Sequence, residues 1–213
     1  MFNFNEIVKD LDKISSKSYE DRIEFLKKTG RETLHIESTV EASMDNLSRS
    51  KRSFVIYGEP QSGKTEMMIA LTAKLLDSGY RTIIILMNDN VTLLNQNLTR
   101  FKKSGLSTTP VGYKELIDKS VDITSRPRVI FSKKNASDLK KLCELTRKVE
   151  NVVVIDDEAD YATPNSKINK NEISTINKLT SNLLDSGVYI GVTATPARLN
   201  LNNTHLNDAE SWI

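Results

Sequence analysis

The stretch SFVIYGEPQSGKT, residues 53–65, runs five residues that read as a buried strand into a loop with the spacing Gly58, four residues, Gly63-Lys64-Thr65. That spacing fits a phosphate-binding loop. The loop leaves an apolar strand and opens a helical pattern over 64–78 that closes at Gly79. Successive backbone N–H groups and a helix N-terminus can therefore converge on phosphate oxygens. In this reading the run Gly58, Glu59, Pro60, Gln61, Ser62, Gly63, Lys64, Thr65 and Glu66 forms the cradle. Lys64 reaches the β and γ phosphates, and the Thr65 hydroxyl ligates a magnesium ion.

Outward from the loop, short apolar runs alternate with helix-length polar stretches. The runs are SFVIY (53–57), TIIILM (82–87), RVIF (128–131), NVVVI (151–155) and VYIGV (188–192). Strands so uniformly apolar are covered on both faces, which predicts a parallel sheet with crossover helices. Helical spacing fills the gaps: Val91, Leu94, Leu98 and Phe101; Leu139, Leu142, Leu145 and Val149; Ile173, Ile176, Leu179 and Leu183. The fold class expected is α/β, a parallel sheet flanked by helices. Before it, Phe4, Ile7, Leu11 and Ile14, and then Tyr19, Ile23 and Leu26, predict two amphipathic helices ending at Gly30. The expected organisation is a helical N-terminal extension over 1–50 and the nucleotide-binding domain over 51–213.

Composition limits what such a domain can be. The 213 residues suffice for one α/β domain with an extension. The net charge of +2 gives no basic tail or acidic disordered tract, so any nucleic-acid contact must come from local patches. Cys143 is the single cysteine, and His35 and His205 form no zinc pattern with it. No apolar run approaches the roughly 18 residues that span a bilayer, and the start MFNFNEIVKD lacks the order of a signal peptide. The expected setting is the cytoplasm.

Two further stretches fall at strand ends. VVVIDDEAD, residues 152–160, carries consecutive carboxylates to the carboxyl edge of the sheet, where open α/β sheets bind ligands. One can hold hydrated magnesium and the next can accept a proton from an attacking water. The assignment is Asp157 to the metal and Glu158 to the water, with a shift of one residue, to Asp156, left open. GVTATPARL, residues 191–199, brings the hydroxyls of Thr193 and Thr195 to the same edge, able to hydrogen-bond Asp160 or sense the γ phosphate.

GEPQSGKT, DEAD and TATP, in that order, resemble motifs I, II and III of superfamily 2 helicases and translocases in their first RecA-like domain. Finer features are similar to the Z-one domain proteins, described as endonucleases: PQSGKT, the stretch DSGYRTIIILMNDNVTLLNQNLTRF (77–101), FSKKNASDLKKL (131–142), IDDEADYATPN and YIGVTATPARL. The likeness covers residues 53 to 200. It implies a RecA-like fold, ATP and Mg2+ as cofactors, and an ATP-driven motor in a larger DNA-acting protein, with restriction or phage defence as its setting. The DEAD-box RNA helicases are a weaker match, since 131–135 reads FSKKN where they carry TPGR. No adenine-reading glutamine motif precedes the loop, so adenine specificity rests on the resemblance.

Such a motor passes nucleic acid, DNA before RNA, over the loops after its second and third predicted strands. Arg100, Lys102 and Lys103, and Arg126, Arg128, Lys133 and Lys134, are the basic residues near them. They could neutralise backbone phosphates, although each patch on its own reads first as an ordinary solvated face. Superfamily 2 motors hydrolyse ATP between two RecA-like domains, and a second domain, in cis or in trans, is the partner expected; alone, the chain should turn ATP over weakly. Two other readings stay open: a phosphate-loop NTPase acting on another substrate, and a nucleotide-dependent binding module that does not hydrolyse.

Overall fold

Every residue of TIIILM is buried, because this strand lies inside the sheet and both of its faces are covered by helices. The structure, a computed structural model, describes residues 18–59, 62–160, 175–184, 187–195 and 213. Its strands are β1 (Ser53–Tyr57), β2 (Thr82–Met87), β3 (Val111–Gly112), β4 (Arg128–Lys133), β5 (Val153–Asp157) and β6 (Val188–Thr193). All pair in parallel, in the order β1-β6-β5-β2-β4-β3. The helices are α1 (Ser18–Lys28), α2 (Leu34–Ser48), α3 (Lys64–Asp77), α4 (Val91–Lys102), α5 (Tyr113–Asp118), α6 (Ala136–Thr146) and α7 (Thr175–Leu183).

Side chains alternate across each strand, so one sheet supplies two cores. Phe54, Ile56, Ile83, Ile85, Phe131 and Ile155 pack with α3, Phe101 of α4, Ile23 of α1 and Val40 of α2. On the other face Val55, Ile84, Leu86, Ile130 and Val154 pack with α5, α6 and α7. Helix α3 is buried on nearly all sides, from Met67 to Ala73 and at Leu75, because α1 and α2 lie over it on the side away from the sheet. The N-terminal helices therefore share the core of the sheet. Beyond the outer edge of β1, Ile213 donates to Val55 O at 3.0 Å and accepts from Tyr57 N–H at 2.8 Å.

The five apolar runs all form strands, and the expected parallel sheet flanked by helices is the observed fold. Boundaries move where polar residues decide them. Asn135 caps α6 by accepting from Asp138 N–H at 2.9 Å, which starts that helix at Ala136 instead of Leu139. Asn90 caps α4 in the same way, from Leu93 N–H at 3.0 Å. β5 runs two residues further than its apolar run and includes Asp156 and Asp157. β3 and α5 are too short for periodicity to announce, and α2 buries Ser43 and Asn46 beside Val40, which blurs its apolar stripe. The helical spacing from Phe4 to Ile14 lies outside the described residues. Among the described residues no helix is long and apolar enough to cross a membrane.

Candidate functional site

Strand order brings the three motif-bearing stretches together. β6 lies between β1 and β5, so the phosphate-loop strand and the acidic strand stand two interstrand spacings apart, about 10 Å. That gap admits a phosphate chain and a cation. The ends are tied: Gly58 N–H donates to Thr193 O at 3.0 Å, and Ala159 N–H to Val192 O at 3.0 Å.

In the loop, Gly63 caps α3 with φ +84°, a left-handed conformation that side chains disfavour. A Cβ on Gly58 would stand 3.0 Å from Ser62 Oγ and 3.1 Å from Lys64 Cγ, so a larger residue would push against the side chains that the loop folds around. Lys64 Nζ donates to Gly58 O at 3.1 Å and to Glu59 O at 2.9 Å, turning its ammonium into the loop. This closeness and the exposed turn at Ser62 and Gly63 fit a phosphate chain. Pro60 and Gln61 lie outside the described residues. Thr65 stands at the start of α3, where its hydroxyl donates to Asn97 Oδ1 of α4 at 3.3 Å. Glu66 departs from the expectation: its carboxylate is held by Arg22 and, at 3.0 Å, by Arg31, so its side chain serves the junction of α1 with α3 and not the cradle.

Strand alternation separates the two aspartates left open by the sequence. Asp156 shares the side of Val154 and is fully buried, paired with Lys134 Nζ at 2.9 Å and accepting from Tyr189 Oη at 2.8 Å. Asp157 shares the side of Val153 and Ile155, the face that carries α3 and its loop. Burial pushes its carboxyl up to about 6, helped by the neighbouring charge of Glu158 and opposed by Lys134. A cation beside it would reverse that cost. Glu158 is exposed at the turn with φ +51°, and its carboxylate accepts from Asn88 Nδ2 at the end of β2. Asp160 gathers both threonines: Thr193 Oγ1 donates to it at 2.6 Å and Thr195 Oγ1 to its other oxygen, while Thr195 N–H donates to Thr193 Oγ1 at 3.0 Å. Among the described residues no group of three or more His, Cys, Asp or Glu converges as a metal cage; magnesium bound with a nucleotide needs only one or two protein oxygens beside phosphates and water.

The basic residues fare unevenly. Lys134 is 1 % exposed, so the expectation that it touches nucleic acid is corrected: its ammonium is locked under the acidic turn. Lys133 is largely committed, donating to Asp89 at 2.6 Å with Asp138 at 3.8 Å. That hydrogen bond holds the Asp89 carboxyl below its usual range and the Lys133 ammonium above its own. Arg128 is buried at the opening of β4, at the edge opposite Lys133, so the patch read across 126–134 is divided. Arg100, Lys102 and Lys103 are exposed at the end of α4.

Beside the loop, a cavity of about 460 Å³ is lined by His35, Ile36 and Thr39 of α2 and by Tyr57, Glu59 and Met67. Sequence reading missed this wall because α2 carries no recognisable motif. It also missed Asn88 and the pairing of Lys134, both of which depend on the strand order β5-β2-β4.

A family model described as SWI2/SNF2 ATPase matches residues 34–208. Among solved structures, the Sulfolobus solfataricus SWI2/SNF2 ATPase core in complex with dsDNA is 15% identical with a TM-score of 0.58, over 79% of this chain and 33% of that one. The ATP-dependent Type ISP restriction-modification enzyme LlaBIII bound to DNA is 16% identical with a TM-score of 0.61, over 78% of this chain and 13% of that one. A nuclease-deletion mutant of the Type ISP enzyme LlaGI, in complex with a DNA substrate mimic, gives 16% and 0.56, over 76% and 17%. At these identities the likeness is one of fold, and the chain spans a third or less of each protein's length. No match is found among curated proteins.

Proposed function

The chain belongs to the SWI2/SNF2 ATPase family, and from that premise we propose that it binds Mg2+·ATP between the 58–65 loop and the end of β5 and couples hydrolysis to contact with nucleic acid, DNA before RNA. The observation that carries the reading is the adjacency of three strand ends, β1, β6 and β5, which carry the 58–65 loop, the Thr193–Thr195 segment and the acidic turn. Lys64 swings from its loop carbonyls to the β and γ phosphates, and the loop N–H groups take the remaining oxygens. Thr65 and Asp157 would hold the magnesium ion, which supplies neutralisation of the phosphate charge. Glu158 takes the proton of the attacking water, and Asp160 with Thr193 and Thr195 links that site to the end of β6. The cavity walled by His35, Ile36 and Thr39 receives the base; its volume lies in the range of small-molecule sites.

Contact with DNA is supported by the family and by relatives of the fold solved on DNA. The exposed residues Arg100, Lys102 and Lys103, and Lys133 once released from Asp89, are the proposed phosphate contacts. A second RecA-like domain closes over the nucleotide and supplies charge to the transferring phosphoryl, so the chain alone turns over slowly. The Z-one resemblance and the Type ISP restriction-modification enzymes of like fold support a role in restriction or phage defence.

Titrating the intact chain with a fluorescent ATP analogue, with magnesium and with chelator, tests the cradle. Lys64→Ala removes a charge-assisted bond to phosphate and should weaken binding roughly tenfold to a hundredfold. Equal affinity in the variant would place the nucleotide elsewhere.

A further inference from the structure

Lys134 is a fully buried ammonium set between a carboxylate and two backbone carbonyls. It pairs with Asp156 Oδ1 at 2.9 Å and donates to the carbonyls of Asp157 and Glu158, each at 2.8 Å. Burying a lysine with its counter-ion is expensive, and an apolar pair of similar volume commonly stabilises as well or better. Stability alone therefore does not explain this residue.

What an apolar side chain could not do is hold the turn that follows β5. Glu158 has φ +51°, a left-handed conformation that is unfavourable for a non-glycine residue and persists only where its surroundings fix it. The two carbonyl bonds from Lys134 fix it from the interior, beside Glu158 N–H donating to Asp157 Oδ1 at 3.1 Å and Ala159 N–H donating to Val192 O at 3.0 Å. β4 and β5 are separated by β2, and a long, unbranched side chain is needed to pass beneath the end of β2 and meet the acidic turn. Asp156, anchored by Tyr189 Oη at 2.8 Å, balances the charge and aims the ammonium.

We infer that Lys134 is a positioning residue for hydrolysis, fixing the backbone of the 157–158 turn so that the Glu158 carboxylate meets the attacking water. This rests on the reading of Glu158 as the base. Lys134 touches no substrate; it acts through the two carbonyls.

The test compares steady-state ATP hydrolysis by the intact wild-type chain, Glu158→Gln, Lys134→Met, and Lys134→Met/Asp156→Asn, with melting temperature measured for each. The double variant removes both charges and leaves an amide oxygen to accept from Tyr189, so it keeps the fold where the single variant, with Asp156 unpaired, can lose it. The expected result is KM for ATP within about twofold of wild type and kcat lower by about a hundredfold, the scale of a misplacement near 1 Å. A double variant with wild-type kcat per folded molecule, whatever its melting temperature, would make the network merely structural and overturn the proposal. Glu158→Gln as active as wild type would instead remove the reading of the base and the proposal with it.

Discussion

Replacing Glu158 by Gln is expected to reduce ATP turnover by about 10² to 10⁴-fold, the contribution of a positioned general base, with little change in affinity for Mg2+·ATP. The amide has the size of the carboxyl group and its oxygen can still accept from Asn88 Nδ2, the partner of Glu158 at the end of β2. The turn, the loop and the cavity are then undisturbed, and only the ability to take a proton is lost. Measured kcat and nucleotide affinity separate this from a general weakening of the site, since a distorted cradle raises KM. A variant that hydrolyses at the wild-type rate would show that Glu158 is not the base. It would also favour the reading in which the nucleotide only orders a surface.

Phe131→Ala should destabilise the chain by about 3–5 kcal/mol, a large share of the roughly 5–15 kcal/mol that holds a domain folded. Phe131 is fully buried in β4, and its ring meets Phe101 of α4 edge-on, with centroids 5.0 Å apart and planes at 78°. Phe101 is the one fully buried residue of α4, whose first turn is exposed at Val91 and Leu93. Truncation at 131 thus leaves a cavity and takes away the main anchor of α4. Denaturant unfolding read by circular dichroism checks it. A loss below about 1 kcal/mol would mean that neighbouring side chains collapse into the space, and that the contact of α4 with the sheet is looser than the ring geometry indicates.

The difference between these two residues shows what the sequence makes visible. Strands and their neighbours in chain order follow from apolar runs and from the loop at 58–65, because burial on both faces selects residues by type. Glu158 and Asp157 are legible for a related reason, since carboxylates at the end of an apolar strand fall at the edge where ligands bind. Asn88 and Lys134 are not, because their partners lie on β5 and in the turn that follows it, and nothing in one chain states that β2 stands between β4 and β5. A lysine beside another lysine, in FSKKN, reads as a solvated pair; alternation and strand order send Lys133 towards Asp89 and Lys134 into the interior. The choice between Asp156 and Asp157 turns on a strand that runs two residues beyond its apolar residues. Glu66 turns to Arg22 and Arg31 because α1 packs over α3, a contact between segments with no shared pattern.

ATP hydrolysis by the intact chain, measured with no polymer, with single-stranded DNA, with duplex DNA and with RNA at low and moderate salt, addresses the central claim most directly. Turnover stimulated by DNA, with the stimulation falling as salt rises because phosphate contacts release counterions, and lost in Glu158→Gln, is the result predicted. Hydrolysis unchanged by every polymer at both salt concentrations would contradict coupling to nucleic acid and leave a nucleotide site that serves another substrate.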